Sequence, residues 1–465
     1  MKFPRIMLAG LHSGCGKTTV TCALMKALKD RGMDVAPFKC GPDYIDPMFH
    51  RFVTGNISAN LDSIFADQKT LTWILTSHGE KRDIGVMEGV MGYYDGQGVT
   101  TAGSAWDVAV KTKTPVILIA RPSGTALSLA AMLKGYLTFK QPSMIAGVIL
   151  NGIREGMYSF YRGMIEEQLD IPVLGFLPEE REVTLHSRHL GLVTAQELSD
   201  LSKKIERMGE MASATLDMDR ILSIAKEAAE LQTDPPERIR QILSDRRSGE
   251  GLRLAVARDP AFSFYYEDNL ALLAALGVNC IPFSPMADEK LPEDIHGLYI
   301  GGGYPEIYAK QLSKNRSMRA CIRKAVSEDN IPTIAECGGY MYLGRTLKDR
   351  EGQQWAMCGS LPCDSEMTSK LGPFGYVEVE LEKDCVLGKA GNRFIAHEFH
   401  YSRMRGEGND LHMAKGNGKT WTGGHTSENL YGAYPHLYFY GAPELAAAFV
   451  GRMAEWKERK ERSDR

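Results

Sequence analysis

The sequence predicts an α/β protein built from two doubly wound, mostly parallel sheets. Short apolar runs alternate with amphipathic stretches, a rhythm typical of buried parallel strands joined by right-handed helical crossovers. That rhythm stops once near the middle of the chain and then restarts. The 465 residues are also three to four times the length of a common single domain. We therefore expect two domains.

The first stretch of alternating runs predicts a domain over residues 1–195. Its apolar runs are bounded by turn residues, as buried strands are. We predict strands at Ile6–Ala9, Val35–Lys39, Ile84–Met87, Pro115–Ala120 and Met144–Leu150, with helices at Thr18–Leu28 and Ala126–Thr138.

Residues 196–250 differ in composition from the stretches on either side. They are charged and helical in period and then contain the break TDPPER, so we predict a helical segment followed by a linker. The strand rhythm returns over residues 251–455, which predicts the second domain, and residues 456–465 form a charged tail. The strands of the second domain are predicted at Leu252–Ala257, Val278–Phe283, Gly297–Ile300 and Thr333–Ala335.

Composition and charge exclude several classes of protein. Fifty-five Lys and Arg against 58 Asp and Glu give a formal charge of −3, too balanced for a nucleic-acid binder or a polybasic membrane anchor. No window approaches the roughly 18 apolar residues of a membrane span, and the N-terminus does not have the pattern of a signal peptide. Nine scattered cysteines without a CxxC pair indicate reduced thiols. We expect a cytoplasmic protein with no nucleic-acid or membrane partner, and a homo-oligomer stays open.

A phosphate-binding loop follows the first strand and opens a helix. In Gly10–Thr19 (GLHSGCGKTT), small residues would let backbone N–H groups surround phosphate oxygens at a helix N-terminus. Leu11 stands where the strict GxxxxGK[ST] pattern has its first Gly, so this is a variant loop. The candidate ATP-binding residues are Gly14, Gly16, Lys17, Thr18 and Thr19, with the Thr18 hydroxyl also a candidate Mg²⁺ ligand.

Acidic residues follow the next two strands of the predicted sheet. Asp43 and Asp46 come after the second strand, and Glu88 and Asp95 come after the third. Ligands of open α/β sheets bind at the carboxyl ends of strands, so these acids can converge near the γ-phosphate and Mg²⁺. Each acid alone could instead be a helix cap or a turn residue. Lys39 is a second candidate phosphate contact, or else a solvated lysine.

A cysteine at a strand–helix elbow marks a second site. Cys337 follows the apolar run IPTIAE and precedes two glycines and a helix, a position that favours the thiolate at a helix N-terminus. The backbone N–H groups of Gly338 and of Gly302, in a second glycine turn, could stabilise an oxyanion. A buried, inert cysteine is the alternative. The candidate bases for a cysteine nucleophile are His397, His400, His425 and His436, of which the pattern favours His436 only slightly.

These residues together resemble the cobyrinic acid a,c-diamide synthase family over nearly the whole chain. The match is far more specific than the phosphate loop alone. It is carried by the motifs GLHSGCGKTTVT, PFKCGPDYIDP, VMEGVMGYYDG, GVILNGI, SRHLGLVTAQE, GGGYPEIYA, AECGGYMYLG, HEFHYSR and YPHLYF.

The resemblance implies a dethiobiotin-synthetase-like P-loop domain followed by a class I glutamine amidotransferase domain. It implies that Cys337 attacks glutamine to release ammonia and that His436 activates the cysteine. ATP, with Mg²⁺, would convert a carboxylate of a polycarboxylate corrinoid or related tetrapyrrole into an acyl phosphate, which ammonia then displaces. The family motifs implicate Asp43, Asp46, Glu88 and Asp95 in metal binding or substrate activation. We expect Thr18, Asp46 and Glu88 to bind the metal, Lys39 to bind the nucleotide, and Asp43 and Asp95 to activate the substrate.

One position departs from the family pattern. Tyr438 stands where the family usually has a second His, and where class I amidotransferases often have the third member of the triad, a Glu. We therefore predict a Cys–His dyad and name no orienting acid.

Three alternative functions stay open at the level of sequence. A sister enzyme that amidates nickel-sirohydrochlorin on the way to coenzyme F430 would share every motif. Cobyric acid synthase modifies other carboxylates, and the HEFHYSR tract argues against it. In another class, a P-loop nucleotide switch would have a non-catalytic second domain.

Arg188 could bind substrate carboxylates or be a plain surface arginine.

Overall fold

The computed structural model describes residues 1–180, 201–244 and 248–463, and the chain divides into two units, Met1–Pro236 and Glu237–Arg465. Three parts of the sequence analysis lie outside the described residues: the SRHLGLVTAQE tract, Arg188 and the predicted boundary at residue 195. Among the described residues, no helix combines the length and apolarity needed to cross a membrane.

The first unit contains a seven-stranded sheet in which every pair of neighbouring strands is parallel. Its strands are β1 (Arg5–Gly10), β2 (Val35–Cys40), β3 (Ala59–Leu61), β4 (Ile84–Glu88), β5 (Val116–Ala120), β6 (Ile145–Ile153) and β7 (Val173–Pro178). Its helices are α1 (Lys17–Asp30), α2 (Ile45–Thr54), α3 (Gln68–Gly79), α4 (Ala105–Lys111), α5 (Leu127–Thr138), α6 (Glu155–Gln168), α7 (Leu201–Thr215) and α8 (Met218–Lys226).

The strand order β3-β2-β4-β1-β5-β6-β7 brings the predicted site residues to one edge of this sheet. Lys39 on β2 is directly opposite Glu88 on β4, and Glu88 is opposite Leu8 on β1. The loop that leaves β1 therefore starts beside the acidic end of β4. Strands β1, β2 and β4 are fully buried because their sequences are largely apolar runs, as a sheet covered on both faces requires.

The second unit contains a six-stranded sheet in the order β20-β21-β11-β10-β8-β9, parallel except at β20–β21. These strands are β8 (Arg253–Ala257), β9 (Asn279–Phe283), β10 (Gly297–Ile300), β11 (Thr333–Glu336), β20 (His425–Ser427) and β21 (Leu430–Ala433). The helices of the unit are α9 (Glu237–Ser244), α10 (Glu267–Ala275), α11 (Ala309–Lys314), α12 (Arg316–Ser327), α13 (Gly338–Leu343) and α14 (Pro443–Ser463).

Two four-stranded sheets that the sequence analysis did not predict lie between α13 and β20 in the chain. Antiparallel pairing dominates both, as expected for short strands joined by tight turns. The first, in the order β13-β12-β14-β17, contains β12 (Thr346–Lys348), β13 (Gln354–Ala356), β14 (Asp364–Met367) and β17 (Ser402–Arg405). The second, in the order β16-β15-β18-β19, contains β15 (Phe374–Leu381), β16 (Arg393–Phe399), β18 (Leu411–Ala414) and β19 (Thr420–Gly423).

Candidate active sites

The phosphate loop has the backbone conformation that its glycines predict. Gly14 and Gly16 have φ angles of 81° and 91°, a region that strains any residue with a Cβ, and Gly16 caps the N-terminus of α1. The ammonium of Lys17 donates to the Met91 carbonyl, 2.6 Å away, so it reaches across to the chain that leaves β4. Burial lowers the pKa of Lys17.

Asn151, on β6, forms a hydrogen bond with this loop. Its Nδ2 donates to the Cys15 carbonyl at 2.8 Å, and a Cβ built on Gly16 would lie only 2.0 Å from the same nitrogen. Two features of this loop therefore require a glycine at position 16: the positive φ of the turn and the close approach of Asn151. The sequence analysis quoted the motif that contains Asn151 but gave the residue no role.

Thr18, Lys39, Asp46 and Glu88 form a compact buried cluster, the acidic cluster. The Thr18 hydroxyl lies 2.7 Å from Glu88 Oε1 and 3.3 Å from Asp46 Oδ1. Lys39 Nζ donates to Asp46 and, at 3.1 Å, to Glu88. Lys39 is only 3% exposed, so it is not a solvated lysine. The structure thus brings together the three residues predicted to bind a metal, with an ammonium between the two acids.

Charge pairing sets the ionisation of the acidic cluster. Burial by itself would lower the pKa of Lys39, but the carboxylates of Asp46 and Glu88 hold it well above its ordinary value. Burial would raise the pKa of Glu88, and Lys39 together with a hydrogen bond from His50 holds it far below the ordinary value. His50 Nε2 lies 2.8 Å from Glu88 Oε2, and its Nδ1 lies 3.1 Å from Ser58 Oγ.

Asp43 and Asp95 both have turn contacts, the alternative that the sequence left open. Asp43 Oδ1 accepts from the N–H groups of Ile45 and Asp46 at 2.8 and 3.1 Å, which caps the start of α2. Its Oδ2 faces Lys39 Nζ at 3.9 Å. Asp95 Oδ2 accepts from Gly92 N–H at 3.0 Å. Asp43 therefore belongs to the rim of the acidic cluster, whereas Asp95 closes its own turn. Thr19 is half-buried in the first turn of α1.

Cys337 occupies a strained elbow between β11 and α13. Its φ of 49° and ψ of −103° are unusual for a residue with a side chain, and such strain is concentrated at functional sites. A Cβ on Gly339 would lie 2.0 Å from the Ile300 carbonyl oxygen, and one on Gly338 would lie 3.1 Å from Gly303 N. The elbow therefore packs directly against the glycine turn that follows β10.

Of the four candidate histidines, the structure places His436 at the cysteine. The Cys337 side chain is one of the groups that raise the pKa of its imidazole, and a Cβ on Gly302 would lie 2.5 Å from its Cε1. The other three have different contacts. His397 shares two backbone hydrogen bonds with His436, His400 stacks on Tyr434 with ring centroids 3.7 Å apart, and His425 Nδ1 lies 2.9 Å from the Tyr340 hydroxyl.

An acid that the sequence analysis did not name lies on the far side of His436. Glu336 Oε2 is 3.5 Å from His436 Nδ1, and both side chains are 3% exposed. Burial would lower the pKa of His436, but Cys337 and Glu336 outweigh it and raise that pKa to about 10. Tyr438, at the usual position of the triad acid, is buried and meets the Tyr266 ring edge-on at 4.9 Å. The prediction of a dyad without a named acid therefore omitted a neighbouring carboxylate.

Comparison with known proteins identifies both halves of the chain. Residues 6–193 match the CobQ/CobB/MinD/ParA nucleotide binding domain, and residues 253–443 match the CobB/CobQ-like glutamine amidotransferase domain. A cobyrinate a,c-diamide synthase of Listeria monocytogenes serotype 4b is 42% identical over 444 residues, which cover 94% of this chain and 96% of that protein. The chain belongs to the cobyrinate a,c-diamide synthase family. A cobyrinate a,c-diamide synthase of Thermoplasma volcanium is 39% identical over 464 residues, which cover 99% of this chain and 100% of that protein.

Membership of the cobyrinate a,c-diamide synthase family confirms the predicted enzyme class. The chain is a ligase of the glutamine amidotransferase type with a nucleotide-binding domain, and both of its domains have the predicted α/β fold. A nucleotide switch with a non-catalytic second domain does not agree with the amidotransferase match over residues 253–443.

The sequence carries weak signals for the three residues that the sequence analysis missed. His50 is four residues after Asp46 and so shares its face of α2. Asn151 lies at the carboxyl end of β6, near the edge where the loop after β1 lies. Glu336 directly precedes Cys337 in the chain, but its contact with His436 spans 100 positions and no local pattern shows it.

Proposed function

We propose that this chain catalyses the ATP- and glutamine-dependent amidation of the a and c acetate carboxylates of cobyrinic acid. The observation that carries the proposal is the similarity over 94–99% of the chain to proteins named cobyrinate a,c-diamide synthase. The two candidate sites supply the two chemical halves that such a reaction needs.

The first unit would activate the carboxylate. A carboxylate oxygen of the substrate attacks the γ-phosphorus of ATP, ADP leaves, and an acyl phosphate forms. Backbone N–H groups at Gly14 and Gly16 and the Lys17 ammonium bind the phosphates. Ammonia then attacks the acyl carbon, inorganic phosphate leaves, and a primary amide remains. Because an acyl phosphate hydrolyses in water, this site must exclude solvent until ammonia arrives.

The acidic cluster fits Mg²⁺. This ion prefers oxygen ligands and is commonly held by one or two carboxylates together with phosphate oxygens. Asp46, Glu88 and the Thr18 hydroxyl supply such oxygens. No group of three or more His, Cys, Asp or Glu among the described residues is arranged to hold a metal ion by itself, so phosphate oxygens would complete the coordination. Bound Mg²⁺ would neutralise charge on the transferring phosphoryl group.

The second unit would supply ammonia. The Cys337 sulfur attacks the side-chain amide carbon of glutamine, and N–H groups of Gly302 and Gly338 stabilise the oxyanion. Protonated His436 gives its proton to the leaving nitrogen, so ammonia departs and a glutamyl thioester remains. Water, deprotonated by the now neutral imidazole, hydrolyses the thioester to glutamate. The effect of the Cys337 side chain on the pKa of His436, which it raises, supports these roles.

Replacement of the proposed nucleophile, Cys337, distinguishes the ammonia-releasing reaction of the second unit from the amide-forming reaction of the first. We expect Cys337→Ser to abolish glutamine-dependent amide formation, with a loss of at least about 10³-fold, because the hydroxyl is a far weaker nucleophile. Amidation with concentrated ammonium chloride should continue, because the first unit is unchanged. Product is measured by liquid chromatography with mass spectrometry.

Cys280→Ser is the matched control, since Cys280 lies on β9, an edge strand that β8 and β10 separate from β11. It should retain both activities. Full glutamine-dependent activity of Cys337→Ser would contradict the proposed glutaminase site.

A further inference from the structure

Glu336 is tied to both residues of the proposed glutaminase pair. It is the last residue of β11 and directly precedes Cys337, while its Oε2 lies 3.5 Å from His436 Nδ1. Its other oxygen accepts from the N–H of Leu437 at 3.2 Å, the residue that directly follows His436. One carboxylate thus links the nucleophile's strand to the segment that carries the histidine.

A tyrosine fixes the orientation of this carboxylate. The Tyr299 hydroxyl, from the neighbouring strand β10, donates to Glu336 Oε1 at 3.0 Å. Tyr299 and Glu336 are both almost completely buried. With Oε1 held by two donors, Oε2 points to the imidazole, and little rotation is available to it.

The buried charge itself argues for a role beyond packing. A neutral glutamine could accept hydrogen bonds from Tyr299 and Leu437 equally well, without the cost of burying an ionised group. A buried carboxylate persists where a positive partner compensates it, and the partner in contact with Glu336 is the imidazole of His436. The charge is therefore explained by a protonated histidine.

We propose that Glu336 is the positioning residue of the glutaminase site: it orients His436 through Nδ1 and stabilises its imidazolium form, in place of an acid at position 438. This inference rests on the proposed glutaminase function of Cys337 and His436. It replaces the expected dyad by a triad whose acid comes from the strand before the nucleophile, and it leaves Tyr438 to pack against Tyr266.

The other titratable groups around His436 do not supply that stabilisation. Burial lowers the pKa of His397 to about 3 and that of His400 to about 4, so both are neutral near pH 7. Burial raises the pKa of Glu398 to about 8, so it is mostly protonated there. Among the described residues, Glu336 is thus the carboxylate in contact with the imidazole of His436.

The test compares Glu336→Gln, which keeps size and hydrogen-bond acceptance, with Glu336→Asp, which keeps the charge on a shorter side chain. We expect Glu336→Gln to lower the glutaminase kcat at least about 10-fold, because the imidazole loses its charged partner, with KM for glutamine within about twofold. Glu336→Asp should recover part of kcat. Amidation driven by ammonium chloride should match that of the unmodified enzyme, which shows that the fold is intact.

The pH profile separates positioning from mere support of the fold. Glu336 raises the pKa of His436, so the imidazolium persists as pH rises and is lost only on the alkaline side. Glu336→Gln removes that charge, and the alkaline limb of the kcat profile should move to lower pH. Tyr299→Phe removes one of the two donors to Oε1 but keeps the charge, so it should lower kcat less and leave the alkaline limb near its original place.

The outcomes separate the role of Glu336 from the glutaminase function of Cys337 and His436. A Glu336→Gln enzyme with unchanged kcat and pH profile, beside an inactive Cys337→Ser enzyme, would overturn the role of Glu336 and leave the glutaminase intact. Full glutamine-dependent activity in both variants would overturn the proposed glutaminase site itself. An equal loss of glutamine- and ammonium-driven activity in Glu336→Gln would assign the residue to folding and contradict positioning.

Discussion

At the scale of single residues, surroundings decide which side chains carry chemistry. Lys39 could be a solvated lysine by sequence, yet its ammonium is buried between Asp46 and Glu88. Near neutral pH it offsets the repulsion that two buried acids would otherwise exert on each other. The first unit therefore holds the carboxyl oxygens of Asp46 and Glu88 in place around this ammonium, with the Thr18 hydroxyl beside them.

Loss of this lysine should destabilise the first unit. In Lys39→Met, Asp46 and Glu88 keep their burial but lose their shared cation, and removal of one partner of a buried ion pair costs about 3–5 kcal/mol. Urea unfolding followed by circular dichroism measures the change. Lys134→Met on the exposed side of α5 is the control and should stay within about 0.5 kcal/mol of the unmodified protein. If the free energy of unfolding of Lys39→Met falls by less than about 1 kcal/mol, Lys39 does not compensate the buried carboxylates of Asp46 and Glu88.

At the scale of elements, apolar pattern predicted the parallel strands closely. The predicted strand Val35–Lys39 is found at Val35–Cys40, and Ile84–Met87 at Ile84–Glu88, because continuous apolar runs bounded by turns have few alternative structures. The small antiparallel sheets were missed because their strands are half-exposed, as in β15, where polar and apolar residues mix. The candidate site residues were predicted where a local motif holds them together. Glu336 was not, because only the pairing of β11 with β10 and β21 brings it to Tyr299 and His436.

The elbow between β11 and α13 should be intolerant of a single added methyl group. In Gly339→Ala the new Cβ would lie 2.0 Å from the Ile300 carbonyl oxygen, closer than real contacts allow, so the backbone beside Cys337 must shift. A misplacement of about 1 Å can reduce turnover about 10²-fold, and we expect at least that loss of glutaminase activity. The assay is glutamate release at saturating glutamine.

Gly163→Ala is the matched control on an exposed helix. A Cβ at Gly163, within α6, meets no atom within 4 Å, so the change should raise stability by about 0.5–1 kcal/mol through lower backbone entropy in the unfolded chain, with no effect on turnover. Wild-type turnover in Gly339→Ala would contradict the close packing of the elbow against the β10 turn.

At the scale of the whole molecule, one chain carries the residues that we propose for two different reactions. The first unit contains a phosphate loop with the acidic cluster, and the second contains a cysteine, a histidine and an acid. Neither half defines the final product alone, because a glutaminase supplies only ammonia and a phosphate site only activates a carboxylate. The two sites would amidate a corrinoid or a nickel tetrapyrrole by the same chemistry. The function of the protein therefore depends on which of these rings is the substrate.

The most direct test of the proposed substrate is mass spectrometry of one reaction that contains ATP, Mg²⁺, glutamine and equal amounts of cobyrinic acid and nickel-sirohydrochlorin. The account predicts that only cobyrinic acid gains amides, one and then two per ring, with one ATP and one glutamine consumed for each amide. Amidation of the nickel compound alone would contradict the proposed substrate while preserving the chemistry of both units.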